Sequence, residues 1–508
     1  MTEPSQYYTN MADTIKVKTL DGTTVEFIDK VIGAGTMKDV YFSPDKSYVV
    51  ALFREKQDFN SKDRLITICG IYRDRLFNQV GGDYWKELYC WPTNVLEYNG
   101  KLGLVAPAYR KPFFFTYGSR NNDCLSIKGQ EKEGKWFASA SLQSKFLDER
   151  EKGDWFKYFL ICIKIARGAK RLHSAGLAHS DLSYKNVLID PIGANAAIID
   201  IDGLVVPGKY PPDVIGTPDF IAPEVMATKN LKREDTNRKF PCRATDQHAL
   251  ATMIYMYLLY RHPLRGGQIH DVDPQRDEEL SMGQKALFVE HPSDLRNRPN
   301  LRDTKPAFLP WADVTKLPYG ITGPYLKALF DRAFIDGLHN PNLRPTADDW
   351  ERDLLKTIDL MQPCLNPNCA QKWFVFNNTT KPVCPFCGTP FKGQLPILNF
   401  YSSRKVGVFT PDNYRLMVYH NQYLYQWHVN KNIFPNERIS EEQKKPVGYF
   451  VFHEGRWILI NQKLYSLFDK SEDKQIPIGS FVELTEGKKI LLSNENGGRL
   501  IIVQLANN

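Results

Sequence analysis

The chain has 508 residues, of which 42% are hydrophobic and 24% charged. That length holds two to four domains and that apolar fraction fills real cores, which excludes a disordered chain or a lone small module. The formal net charge of +8 is spread along the sequence with no dense basic run, so it reads as solvated surface and argues against a nucleic-acid partner.

Residues 1–14 read as an N-terminal tail, polar and without an apolar signal core. From Ile15 to Phe53 the pattern is strand and turn: I-K-V-K, a D-G turn at Asp21-Gly22, then T-V-E-F-I. In I-G-A-G-T-M-K-D-V-Y, Ile32 to Tyr41, Gly33 and Gly35 let backbone N–H groups approach a phosphate with no Cβ in the way. Val49 to Phe53 reads as a strand with Val49, Ala51 and Phe53 on one face. Residues 59–79 read as a helix that contains no glutamate. Val95 to Tyr98 and Lys101 to Ala106 form a hairpin around Asn99-Gly100. Residues 117–150 are polar and irregular, an insertion or long loop, and Trp155 to Ser174 reads as a helix. The longest apolar stretch, Leu250 to Tyr260, is too short to cross a bilayer and reads as a buried helix, so no membrane association is expected.

The densest chemistry lies between His179 and Glu224: H-S-D-L-S-Y-K-N, then I-I-D-I-D-G from Ile198, then G-T-P-D-F-I-A-P-E from Gly216. Phosphoryl transfer needs an acid near the attacking hydroxyl, oxygen ligands for Mg²⁺ and a cation on the phosphates. Asp181 suits the first role, and Asn186 and Asp200 suit the second. These three motifs, in this order, resemble the catalytic loop, metal-binding segment and activation-segment end of eukaryotic-type protein kinases, and the last run resembles the Ser/Thr branch. The resemblance covers about residues 20–358. It implies a bilobal kinase fold, with the N-lobe at 15–110, a hinge near Pro107 to Tyr109 and the C-lobe at 111–358.

The resemblance implies that Asp181 orients or deprotonates the acceptor hydroxyl while Asn186 and Asp200 hold Mg²⁺ for ATP. Asp202 falls where kinases place glycine, so either acid of D-I-D is a candidate ligand. Lys185, four residues after Asp181, is placed to stabilise the γ-phosphate, because the usual position two after the base is Ser183. Kinases carry their phosphate-binding lysine in the strand that here reads V-V-A-L-F, and no lysine is present there. Lys38 stands at the position of the third glycine and shares a strand face with Val40, where kinases pack a valine over the adenine. Kinases of the with-no-lysine group resemble this arrangement. The expected nucleotide-binding set is therefore Gly33, Gly35, Lys38, Val40 and Ala51 with Asn186, Asp200 and Asp202. Asp74, or else Glu87, is expected to pair with Lys38. Asp246, opening the apolar helix, is expected to hold the catalytic-loop backbone, and Arg344 to pair with Glu224. Ser180 stands where many kinases place an arginine that receives a loop phosphate, and Tyr210 is the only hydroxyl between Gly203 and Gly216. Control by activation-loop phosphorylation is therefore expected to be absent.

Residues 361–393 change character. Cys364-x4-Cys369 and Cys384-x2-Cys387-Gly388 make two knuckles whose four thiolates can surround one structural Zn²⁺. The other five cysteines are scattered, which suits a reducing cytosol and a cytoplasmic protein. Residues 395–508 are strand-rich and read as a β-sandwich docking domain. They vaguely resemble forkhead-associated domains but lack the S-R-x-H and N-G-T phosphothreonine motifs. The expected fold class is thus α+β: a bilobal kinase fold, a zinc ribbon and an all-β sandwich. The G-x-M-K-D-V-Y-F-S-P-D stretch and the four cysteines together resemble the kinases of a bacterial three-protein module found in tellurite-resistance gene neighbourhoods. That resemblance implies a von Willebrand A protein and a metal-dependent phosphatase as partners, beside a protein substrate. Two other readings stay open on sequence: a pseudokinase scaffold acting through its C-terminal domains, and a nucleotidyl transferase on a kinase fold.

Overall fold

Alternating apolar residues in the first hundred positions build a five-stranded antiparallel sheet. It is made of β3 (Val31–Ala34), β4 (Lys38–Phe42), β5 (Tyr48–Phe53), β6 (Asn94–Tyr98) and β7 (Lys101–Pro107), in the order β3-β4-β5-β7-β6. The β6–β7 turn uses Asn99 and Gly100, both at positive φ as a two-residue hairpin demands. One face of the sheet is covered by the hairpin of β1 (Thr14–Lys18) and β2 (Thr24–Ile28), which packs Val25 and Phe27 on Val50 and Leu96. The other face carries Ala51, Phe53 and Val95 against Leu65 and Cys69 of the following helix. The structure, a computed structural model, describes residues 13–34, 37–206, 209–210, 216–377, 381–405 and 407–506. Residues 1–12 of the expected tail lie outside that set, as does Gly35 of the glycine pair.

The expected helix over 59–79 is three pieces in one run: α-helix Phe59–Thr67, a π turn over Ile68–Tyr72, and α-helix Arg73–Phe77. Asp58 caps its start by accepting from the Ser61 N–H. The larger lobe is built on two helices, Trp155–Ser174 and Arg243–Leu259. The second is buried almost all round, as its unbroken apolar run requires. The Trp155 indole N–H donates to Leu258 O at 3.0 Å and ties the two together. The short hairpin of β8 (Val187–Asp190) and β9 (Asn195–Ile198) follows the H-S-D loop and leads directly into I-I-D-I-D-G. Among the described residues no helix is long and apolar enough to cross a membrane.

Beyond the helix Ala347–Ile358, β10 (Met361–Pro363) and β11 (Trp373–Val375) pair antiparallel within the cysteine-bearing segment. That segment is packed onto the larger lobe. The Phe386 ring meets Trp155 and Trp311 at centroid distances of 4.8 and 5.4 Å, and Trp373 meets Phe156 at 5.0 Å.

The rest of the chain forms two antiparallel sheets. The larger contains β12 (Leu395–Lys405), β13 (Val408–Met417), β17 (Phe468–Asp469), β18 (Lys474–Gln475), β20 (Lys489–Leu491) and β21 (Arg499–Ala506). The smaller contains β14 (Tyr423–Leu424), β15 (Gly448–His453), β16 (Arg456–Asn461) and β19 (Phe481–Glu483). Side chains from both sheets, including Phe400, Ile501, Phe450 and Leu459, share one core.

Candidate active site

The site is assembled where the small sheet overhangs the H-S-D loop. Asp246, in the first turn of the buried helix, accepts from the backbone N–H of His179 at 2.7 Å and of Ser180 at 3.1 Å. Its Oδ2 also lies 3.1 Å from His173 Nε2. Two backbone donors and an imidazole on one buried carboxylate fix the loop that presents Asp181, as the sequence suggested. Ser180 sits at a φ of 68° and Asp200 at 59°, the left-handed region that non-glycine residues enter only when their surroundings hold them there.

Asp181 is held from two sides. Asn186 Nδ2 donates to its Oδ2 at 3.0 Å and to its carbonyl at 2.9 Å, and the Thr217 N–H donates to its Oδ1 at 2.6 Å. Gly216 makes the last contact attainable, because its φ of +110° turns the chain so that the next N–H faces the carboxylate. With its amide nitrogen committed to Asp181, Asn186 offers Oδ1 as an acceptor, the kind of oxygen a hard cation takes. Ser183 is fully buried and accepts from the Thr217 hydroxyl at 3.2 Å, whereas the Lys185 side chain is exposed. Farther along, Arg344 forms a two-pronged pair with Glu224, at 2.8 and 2.7 Å, that locks the end of the activation segment to the lobe.

In the small lobe β4 pairs with β5 so that Lys38 faces Phe53 and Val40 faces Ala51. With a period of two, Lys38, Val40, Ala51 and Phe53 therefore share one face. Gly33 pairs opposite Val40 beside a register shift. The Lys38 ammonium lies 2.6 Å from Asp202 Oδ2, 3.5 Å from Asp200 Oδ1 and 5.3 Å from the Phe53 ring centroid. Burial works against the charge on Lys38, but the carboxylates of Asp202 and Asp200 outweigh it and raise its pKa above the usual lysine value. Burial in the cleft, and then the Asp202 carboxylate, push the Asp200 carboxyl above its ordinary value, although half of its side-chain surface still meets solvent.

Lys38 does not pair with Asp74 or Glu87, the partners expected from the sequence. The acids within reach of the ammonium come from D-I-D, and Glu87 instead lies 3.6 Å from Arg110. Lys38 thus meets, across the cleft, the acid that follows Ile201 in D-I-D.

The sequence did not announce what the helix Phe59–Thr67 does with its own acid. Asp63 Oδ2 accepts from the Tyr210 hydroxyl and lies 3.3 Å from Lys209 Nζ, while Thr67 Oγ1 is 3.0 Å from the same hydroxyl. The sole hydroxyl of the Gly203–Gly216 interval was a signal, but its destination was not encoded locally.

The four cysteine sulfurs lie within 4.8 Å of one another, with Cys364 Sγ 3.5 Å from Cys387 Sγ and Cys369 Sγ 3.9 Å from Cys384 Sγ. Tetrahedral Zn–S bonds of about 2.3 Å imply sulfur–sulfur separations of about 3.8 Å, so the donor set fits one such ion.

Comparison with known proteins then bears on this cleft. Residues 133–372 match the protein kinase domain family. A segment of 139 residues, 27% of this chain, is 32% identical to the death-associated protein kinase dapk-1 of Caenorhabditis elegans and spans 8% of that protein. The Streptomyces coelicolor serine/threonine-protein kinase PkaB is 32% identical over 114 residues, 20% of this chain and 25% of the relative. The yeast serine/threonine-protein kinase PTK1/STK1 is 33% identical over 107 residues, 19% of this chain and 16% of the relative. The chain thus spans a quarter or less of the length of these relatives. The matched family segment contains Asp181, Asn186, Asp200, Asp246 and Arg344 and excludes Lys38.

Proposed function

We propose that this protein is an Mg-ATP-dependent protein kinase that transfers the γ-phosphate to Ser or Thr hydroxyls of a protein substrate. Asp181 accepts or orients the acceptor hydroxyl proton. Mg²⁺, when bound, neutralises the phosphate oxygens and is held by Asn186 and the acids of D-I-D. Lys38 grips the α/β-phosphates from the glycine-rich strand, with Gly33, Gly35, Val40 and Ala51 around the nucleotide and Lys185 toward the γ-phosphate. The observation that carries this reading is the Lys38 ammonium at 2.6 Å from Asp202, in the cleft that also holds Asp181 and Asn186. A cation supplied from β4 meets the electrostatic requirement that β5 does not.

We also propose that the four thiolates hold one structural zinc and that the strand-rich C-terminal region is a docking domain. The finer kinship with the kinases of the tellurite-associated module, and with it a von Willebrand A protein and a phosphatase as partners in the cytoplasm, is supported by the stretch around Lys38 together with the four cysteines.

Incubation with γ-labelled and α-labelled ATP tests the reaction. Transfer of γ-label to protein Ser or Thr is the expected result. Transfer of α-label would mean nucleotidylation, and no transfer of either would mean a scaffold.

A further inference from the structure

A second cavity lies away from the cleft, where the helix Ala347–Ile358 meets the C-terminal sheets. It encloses about 300 Å³ and is lined by Tyr414, Trp427 and Phe434 among its apolar surfaces. That volume is at the lower end of small-molecule sites, about 300–1,000 Å³. Trp427 is pre-positioned, stacked on Tyr425 with centroids 4.3 Å apart and planes 9° from parallel.

The charges around this cavity do not balance. Arg352, Lys356, Lys431 and Arg499 line it against Asp359 and Asp412. Asp412 is committed to Arg499 at 2.8 Å and to the Ser402 hydroxyl at 2.5 Å. Asp359 accepts the Tyr414 hydroxyl and lies 3.3 Å from His428 Nε2. Arg352 is served by Asp349 and Asp353 at 2.9 and 3.2 Å. Among the described residues Lys431 Nζ donates to the neutral Ser402 Oγ alone, at 3.1 Å, and Lys356 Nζ lies 5.3 Å from the Tyr325 ring centroid. Among the described residues no carboxylate comes within 4.0 Å of either ammonium. Two half-buried cations that make no direct ion pair among the described residues, beside aromatic faces, are complementary to an anion on a flat apolar body.

We propose that this cavity binds a small molecule with an aromatic body and an anionic group, the anion on Lys356 and Lys431 and the ring system against Trp427 and Phe434. The probe is 8-anilinonaphthalene-1-sulfonate, titrated into the full chain with excess ADP present to occupy the interlobe cleft and followed by fluorescence. Saturable binding is expected, weakened roughly tenfold or more by Lys356→Glu with Lys431→Glu, and likewise by Trp427→Ala. The Lys356→Arg and Lys431→Arg pair should keep the affinity. Circular dichroism melts establish that each variant is folded, and Lys356→Gln with Lys431→Gln replaces the charge reversal if that variant does not fold. Absence of saturable binding by the wild type, or wild-type affinity in the folded charge variants, overturns the assignment.

Discussion

Asp200 and Asp202 are two residues apart and do different things. Asp202 is the less exposed, at 14% of its side-chain surface against 50%, and makes the shorter contact with Lys38. Asp200 occupies the left-handed backbone and faces the open part of the cleft. Asp200 is therefore expected to be the principal Mg²⁺ ligand and Asp202 the residue that positions the lysine. Asp200→Asn should raise the Mg²⁺ concentration for half-maximal activity about tenfold or more, a loss of about 1.4 kcal/mol in ion binding. Asp202→Asn should act mainly on the KM for ATP. A metal titration showing the opposite order would reverse the two roles. At this scale the strand period alone placed Lys38 on the cleft face with Val40. Its acid partner was not readable, because that contact joins residues 164 positions apart that only the tertiary fold brings together.

At the scale of elements, side chains tie the stretch from Gly203 to Glu224 to the rest of the molecule at two points, Tyr210 and Glu224. Arg344, whose side chain is fully buried, holds the Glu224 end. Arg344→Ala leaves a partly buried carboxylate unpaired and should destabilise the larger lobe by about 3–5 kcal/mol, read by chemical denaturation. A loss below about 1 kcal/mol would mean that the pair is no more than a surface ion pair. Tyr210, farther up the segment, rests on Asp63 and Thr67 of the helix Phe59–Thr67. Tyr210→Phe removes both hydrogen bonds, worth roughly 1–3 kcal/mol together, and should speed amide exchange in residues 59–77. Unchanged exchange there would disconnect the segment from the helix. The helix could be read from its pattern, and its end was misplaced by two residues. Its π turn could not be read, because the extra residue in that turn has no local composition signal.

For the whole molecule, the cysteine segment and the C-terminal sheets are bonded to the kinase-like lobes. Met417 N–H donates to Asp359 O at 2.8 Å, and Arg167 Nη2 donates to Pro435 O at 2.7 Å. A Cβ on Gly81, in the small lobe, would meet Glu437 O at 2.9 Å. The cysteine spacing announced the knuckles, but nothing in it announced Phe386 seated between Trp155 and Trp311. Metal analysis of the purified protein should give about one zinc per four thiolates, and Cys384→Ser should lose it and loosen this seam. Full zinc occupancy in that variant would remove the site.

The central claim is that phosphoryl transfer runs on a lysine supplied by β4. Single-turnover transfer of γ-label by Lys38→Met, beside the wild type and Lys46→Met, tests it most directly. Lys46 sits on the exposed β4–β5 turn, so its variant should behave nearly as wild type. The account predicts a loss of roughly 10²–10³-fold for Lys38→Met with an unchanged melting profile, the scale of removing one preorganised transition-state contact. Wild-type transfer by folded Lys38→Met would contradict it.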